Sequence, residues 1–200
     1  EREIHNNIVY KRLDSDPGIY GAWNEAIEMS TGDILTNANL DDRRARNQIE
    51  VMVKALMNNP EIDLVYSFSY RTDTPNETYE KNSSAGRIYQ TYNFSKENMV
   101  KCLPGEMPLW RKSVHEKCRL FDDSYKSAGD WEMWLRAVDN GSSFKRVDGV
   151  HGLYYENPTG LSTSLEKQKD KFEEEKEVFW KYTHVFGTEV TDAFKGYFSK

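Results

Sequence analysis

What most narrows the fold of this chain is a switching of hydrophobic period along its first hundred residues. Apolar side chains recur at helical spacing over 19–29, with Ala22, Trp23, Ala26 and Ile27 on one face. They then condense into a short continuous run over 34–38. Helical spacing returns at Ile49, Met52, Val53, Leu56 and Met57, predicting a helix over 43–58 that Asn58-Asn59-Pro60 stops. Residues 63–70 then alternate, Leu64, Tyr66, Phe68 and Tyr70 against Val65, Ser67 and Ser69, as a strand does. Helix and strand in turn is the pattern of an α/β layer fold, whose ligands sit beyond the carboxyl ends of the strands.

The second half continues with a polar loop over 71–86, a short helix over 95–102, a strand over 107–110 and a short helix over 111–117. Trp131, Trp134, Leu135 and Val138 mark a further helix ending at Asn140-Gly141, and two strands follow over 143–147 and 150–155. From residue 164 the composition changes: 166–177 is mostly charged and leads to an aromatic cluster of Phe179, Trp180, Tyr182 and Phe186. The expected organisation is a main domain over 1–162 and a charged helical extension over 163–200 that leaves the core. Residues 1–16 are polar enough to supply at most a short strand.

Composition excludes some classes of function. A net charge of -6 disfavours binding along a nucleic-acid backbone. No apolar run reaches the ~20 residues of a membrane-spanning helix. The two cysteines, Cys102 and Cys118, lack metal-ligand spacing and read as buried thiols of a reducing compartment. The expected location is cytoplasmic, or peripheral at an inner membrane.

Two constellations carry chemistry. The first is Asn39-Leu40-Asp41-Asp42, into which the 34–38 strand empties. On extended backbone Asn39 and Asp41 share a direction, and hard oxygen ligands there suit Mg²⁺ or Mn²⁺ bridging a diphosphate. The same acidic pair could equally cap the helix that follows. The second is the run from Ala128 through Gly129-Asp130-Trp131-Glu132 to Arg136. Asp130 could cap its helix, or stand as a general base beside an aromatic surface.

Taken in order, these segments resemble family 2 (GT-A type) glycosyltransferases. The resemblance runs through Gly18-Ile19-Tyr20-Gly21-Ala22-Trp23-Asn24-Glu25-Ala26-Ile27, Ser30-Thr31-Gly32-Asp33 and Asn39-Leu40-Asp41-Asp42. It resumes at Met107-Pro108-Leu109-Trp110-Arg111, Phe121-Asp122 and the stretch from Ala128 to Arg136. It implies a mixed sheet flanked by helices, and transfer of a sugar from a nucleotide-sugar to a glycan or glycoconjugate hydroxyl. The transfer would invert configuration and be assisted by Mg²⁺ or Mn²⁺, the usual setting being bacterial surface polysaccharide synthesis. By the same resemblance Asp130 is the catalytic base and Asp41 the metal ligand. Asn39, Asp41 and Asn24 lie on the nucleotide side, and Trp110, Trp131 and Glu132 on the acceptor side.

The chain departs from the family pattern in three places. Asn39 replaces the first acidic residue of the DxD motif, and Asn157 stands near the place of a strand-end His. Nothing before Asp16 resembles the family's opening nucleotide-binding strands, so the domain is expected to be N-terminally incomplete: either a fragment of a longer chain, or one that has lost its nucleotide half-site and has a compensating partner. The competing reading is a non-catalytic glycan- or protein-binding module descended from such an enzyme.

Overall fold

The computed structural model describes residues 7–161 and 163–199. Helix α1 (Gly18–Met29) leads into strand β1 (Ile34–Thr36), and the chain then reaches β2 (Arg43–Arg44), α2 (Gln48–Met57) and β3 (Leu64–Thr72). A loop and β4 (Ile88–Tyr89), one 3-10 turn (Glu97–Val100), β5 (Leu109–Arg111) and α3 (Val114–Cys118) precede α4 (Gly129–Asp139) and β6 (Phe144–Tyr155). Three helices finish the chain, α5 (Gln168–Lys181), α6 (Thr183–Phe186) and α7 (Thr188–Phe198).

The sheet is mixed, with order β1-β5-β3-β6-β2 and β4 added to β3. Strands β3 and β6 run parallel, and the remaining pairs are antiparallel. Central β3 begins with Leu64, Val65 and Tyr66, all fully buried, as a strand covered on both faces requires. Helix α2 covers one face through Met52 and Leu56. Helices α1 and α4 cover the other, where Trp134, Met133 and Leu135 are fully buried. Each such side chain contributes roughly 1.5–3 kcal/mol.

Three expectations change. The predicted 43–58 helix starts only at Gln48, because Arg43 and Arg44 first pair with Leu153 and Gly152 of β6. Residues 37–42 therefore carry the chain from one edge of the sheet to the other, and Asp41 and Asp42 cap no helix. The two strands expected over 143–155 are one, bulged against Phe68, and Gly149 at φ +104° supplies a left-handed turn that most residues would resist. The C-terminal helices do not leave the core. Val178, Phe179, Tyr182, Val185, Phe186 and Phe198 belong to the same apolar cluster as Trp131 and Trp134. Residues 7–16 form no strand, and the opening six residues of that expectation lie outside the described ones.

Candidate active site

Helix α4 places Asp130 in its first turn. The segment leading into that helix is held from elsewhere: Glu174 of α5 accepts the backbone N–H groups of Lys126 (2.8 Å), Ser127 (2.8 Å) and Ala128 (2.9 Å). Asp130 is the second residue of the helix and not its N-cap, and its carboxylate bonds a first-turn N–H. Its Oδ1 accepts the N–H of Trp131 at 2.8 Å and the hydroxyl of Tyr20 at 3.3 Å, and the Cys102 thiol lies 3.8 Å from Oδ2. Burial pushes this carboxyl above the usual aspartate range, and these donors oppose the shift. The positive end of the helix dipole favours its anion. Burial also drives the Tyr20 phenol far up, so it remains a hydrogen-bond donor.

Asp130 lines a cleft of about 390 Å³ together with Tyr20, Trp23, Trp110, Asn39 and Glu106. Through Ile19, Trp23, Asn39 and Tyr154 this cleft continues into a shallower one that holds Asp41, Asp42 and Asn157. The fold therefore brings the two motifs to one continuous depression. The 37–42 loop forming its rim is pinned by Asn37 and Asn39, whose amides donate to the Glu106 carbonyl at 2.7 and 3.4 Å.

The two aspartates of the rim do different jobs. Asp42 is buried and both its oxygens are engaged, one by Asn39 (2.8 Å) and one by the Tyr155 N–H (3.0 Å). Asp41 is exposed and makes no hydrogen bond or ion pair among the described residues. No group of three His, Cys, Asp or Glu side chains able to hold a metal occurs among the described residues. One available carboxylate still fits a hard divalent ion, because Mg²⁺-type sites commonly use one or two carboxylates and take their remaining ligands from water and substrate phosphates. Such a site would be completed by the nucleotide rather than preformed.

Other residues expected at the site have different surroundings. Asn24 lines neither cleft; its amide clasps the backbone of Phe121 in both directions at 2.9 Å, tying α1 to the segment before α4. Its expected nucleotide contact gives way to this structural role. Trp110 does line the cleft, held by an Nε1–H bond of 2.9 Å to His115 and an edge contact with Trp134. Trp131 is 6% exposed and packs against Phe186 and Phe198, with its Nε1–H donated to the Met99 carbonyl. Glu132, 1% exposed, faces away from the cleft and accepts from Arg136 (2.8 Å), Lys181 (2.9 Å) and Tyr182 (2.8 Å). The acceptor contact expected of Glu132 is replaced by a buried ionic hub joining α4 to α5.

Sequence reasoning missed Glu106, whose carboxyl burial pushes up to about 7. The available signal was a lone charge inside the run from Leu103 to Leu109, where burial of an acid demands a reason. Cys102, read as a buried thiol, is half-buried and faces the cleft.

The comparisons define the class. The family model for glycosyl transferase family 2 matches residues 2–119, and the chain belongs to that family. The match includes the 37–42 rim and stops before α4.

Among solved structures, the crystal structure of S. aureus TarS superposes with a TM-score of 0.55 at 12% identity, over 86% of this chain and 32% of that one. Its 1–349 segment gives 0.55 at 14% identity, over 91% and 56%. The same segment in complex with UDP gives 0.54 at 14% identity, with the same coverage. Identity this low shows the GT-A fold alone, and the chain spans about a third to just over half of these solved chains. No curated protein matches. No helix among the described residues is long and apolar enough to cross a membrane.

Proposed function

We propose that this domain transfers a sugar from a nucleoside-diphosphate sugar to a hydroxyl of a glycan or glycoconjugate, with inversion at the anomeric carbon. The observation that carries the reading is Asp130, a half-buried carboxylate lining a cleft that runs on, through shared wall residues, into the one that holds Asp41. An inverting transfer needs a base to take the acceptor proton on the face opposite the departing nucleoside diphosphate. Asp130 is the carboxylate we assign to that task, and the donors around its Oδ1 support a fixed orientation. Asp41 would hold the divalent ion, which offsets charge on the leaving diphosphate when bound. The solved relative in complex with UDP makes a uridine donor the first to try. A cytoplasmic location would give such an enzyme access to nucleotide-sugars.

The test is Asp130→Asn. Transfer should fall by about 10²-fold or more, the usual worth of a positioned base, while nucleotide binding followed by calorimetry stays within a factor of two or so of wild type. A variant that transfers at the wild-type rate removes Asp130 from the base role. Wild type that binds nucleotide with no turnover on any acceptor tried favours the binding-module reading, which the internally spent amide of Asn39 supports.

A further inference from the structure

Asp130 stands at the junction of two clefts. The first leads towards Asn39 and Asp41. The second, of about 430 Å³, shares Tyr89, Cys102, Ser127 and Lys171 with the first and adds a wall from α5 and α7 through Glu175, Phe194 and Tyr197. If the donor lies along the first, the hydroxyl that Asp130 deprotonates must reach it from another side, and the second cleft opens there. This step rests on the reading of Asp130 as the base.

The chemistry of this added wall is specific. Tyr197 is 54% exposed, yet its ring is fixed by edge contacts with Phe172 (centroids 5.3 Å apart) and Phe198 (4.8 Å). One turn of helix pairs Lys171 with Glu175, nitrogen to oxygen 3.6 Å, and both line the cleft. Glu175 and Asp130 line the same cleft, and burial, with the charge of Asp130 adding to it, raises the Glu175 carboxyl. A held aromatic ring beside a carboxylate and an ammonium matches a sugar ring. The C–H face of a pyranose stacks on the aromatic, and its hydroxyls bond to the charged pair.

We propose that α5 and α7 form an acceptor subsite that binds a pyranose unit, with Tyr197 as its stacking platform and Glu175 accepting its hydroxyl bonds. The family match ends at residue 119, so this subsite is built from chain outside it. Acceptor choice then resides in the C-terminal helices, while donor handling resides in the matched part.

Saturation-transfer NMR with the methyl glycosides of glucose, galactose, mannose and N-acetylglucosamine tests the subsite directly. At least one should bind wild type. Tyr197→Ala and Glu175→Gln should each weaken it at least fivefold, with UDP affinity unchanged. Tyr197→Ala also gives up the ring contacts with Phe172 and Phe198, so binding is read well below its melting midpoint. Failure of every glycoside to bind wild type overturns the proposal, as does undiminished binding in both variants. An Asp130→Asn enzyme that remains active, while Tyr197→Ala still loses the glycoside, would overturn the base assignment and leave the subsite supported.

Discussion

The hydroxyl of Tyr20 lies 3.3 Å from Oδ1 of Asp130, although 110 residues separate them. Helix α1 thereby supplies a donor that favours the ionised form of a carboxyl which burial disfavours. Tyr20→Phe removes that donor and leaves the ring. The carboxyl should rise further, so the acid limb of kcat/KM should move to higher pH, with the alkaline plateau nearly kept. A limb at the wild-type position would show that Tyr20 does not set the base.

Gly129 makes this contact possible. A Cβ there would lie 2.6 Å from the Tyr20 ring, so Gly129→Ala must push the ring away from Asp130. The expected cost is about 1–3 kcal/mol of stability, as for other overpacked sites. Activity measured well below the melting range should fall more than Tyr20→Phe alone causes. A variant as active as wild type would mean the ring can shift at no cost to the base.

Glu132 should be a stability residue. Its Ala variant removes the bonds of a buried carboxylate but leaves Arg136 and Lys181 partly open to water, so the cost is about 1–3 kcal/mol. Urea unfolding should show the whole loss, and Glu132→Gln a smaller one. Burial works to raise this carboxyl, but its bonds to Arg136, Lys181 and Tyr182 outweigh it and hold the group below the usual glutamate value. Its contribution is therefore complete above the unfolded value near 4.5 and fades as pH falls through the folded one. Equal stability of Glu132→Ala and wild type at neutral pH would contradict the hub.

Glu106 carries the opposite sign. Its folded carboxyl titrates near 7 against an ordinary 4.5, so between those values the folded chain keeps a proton that the unfolded chain has lost. Stability should decline as pH rises through that window, by about 1.4 kcal/mol for each unit of separation at most. Glu106→Gln abolishes the effect, so its melting midpoint should gain on wild type between pH 5 and 8. Parallel curves would place the carboxyl in a more solvated setting than its burial implies.

The parts of this molecule that the sequence made legible are those in which neighbours in the chain act together. The helix over 19–29, the strand before Asn39 and the aromatic face of α4 all follow from local period. The 37–42 loop and Asp130 were likewise visible as short runs of unusual residues. What escaped depends on distant partners. Asp42 looked like a helix cap, but its partner is the N–H of Tyr155, 113 residues on. Glu132 looked like part of a substrate wall because nothing near it in sequence announces Lys181 or Tyr182. Charges over 166–177 suggested a solvated helix; Glu166, Asp170 and Glu173 are indeed exposed, but Glu174 is spent on the backbone before α4 and Glu177 on Tyr125. A charge pattern gives the count of polar groups and not the address of their partners.

Glu174 reaches back 46 residues to hold the N–H groups that precede Asp130. The consequence is one of timing. During synthesis the segment bearing the base emerges from the ribosome well before the helix that clamps it. Until α5 arrives, those amides can bond only to water, and the turn that aims the carboxylate has no fastening. If Asp130 is the base, as we propose, an unfinished chain would hold that carboxylate without its fastening. The late clamp would then tie reactivity to the arrival of the C-terminal helices.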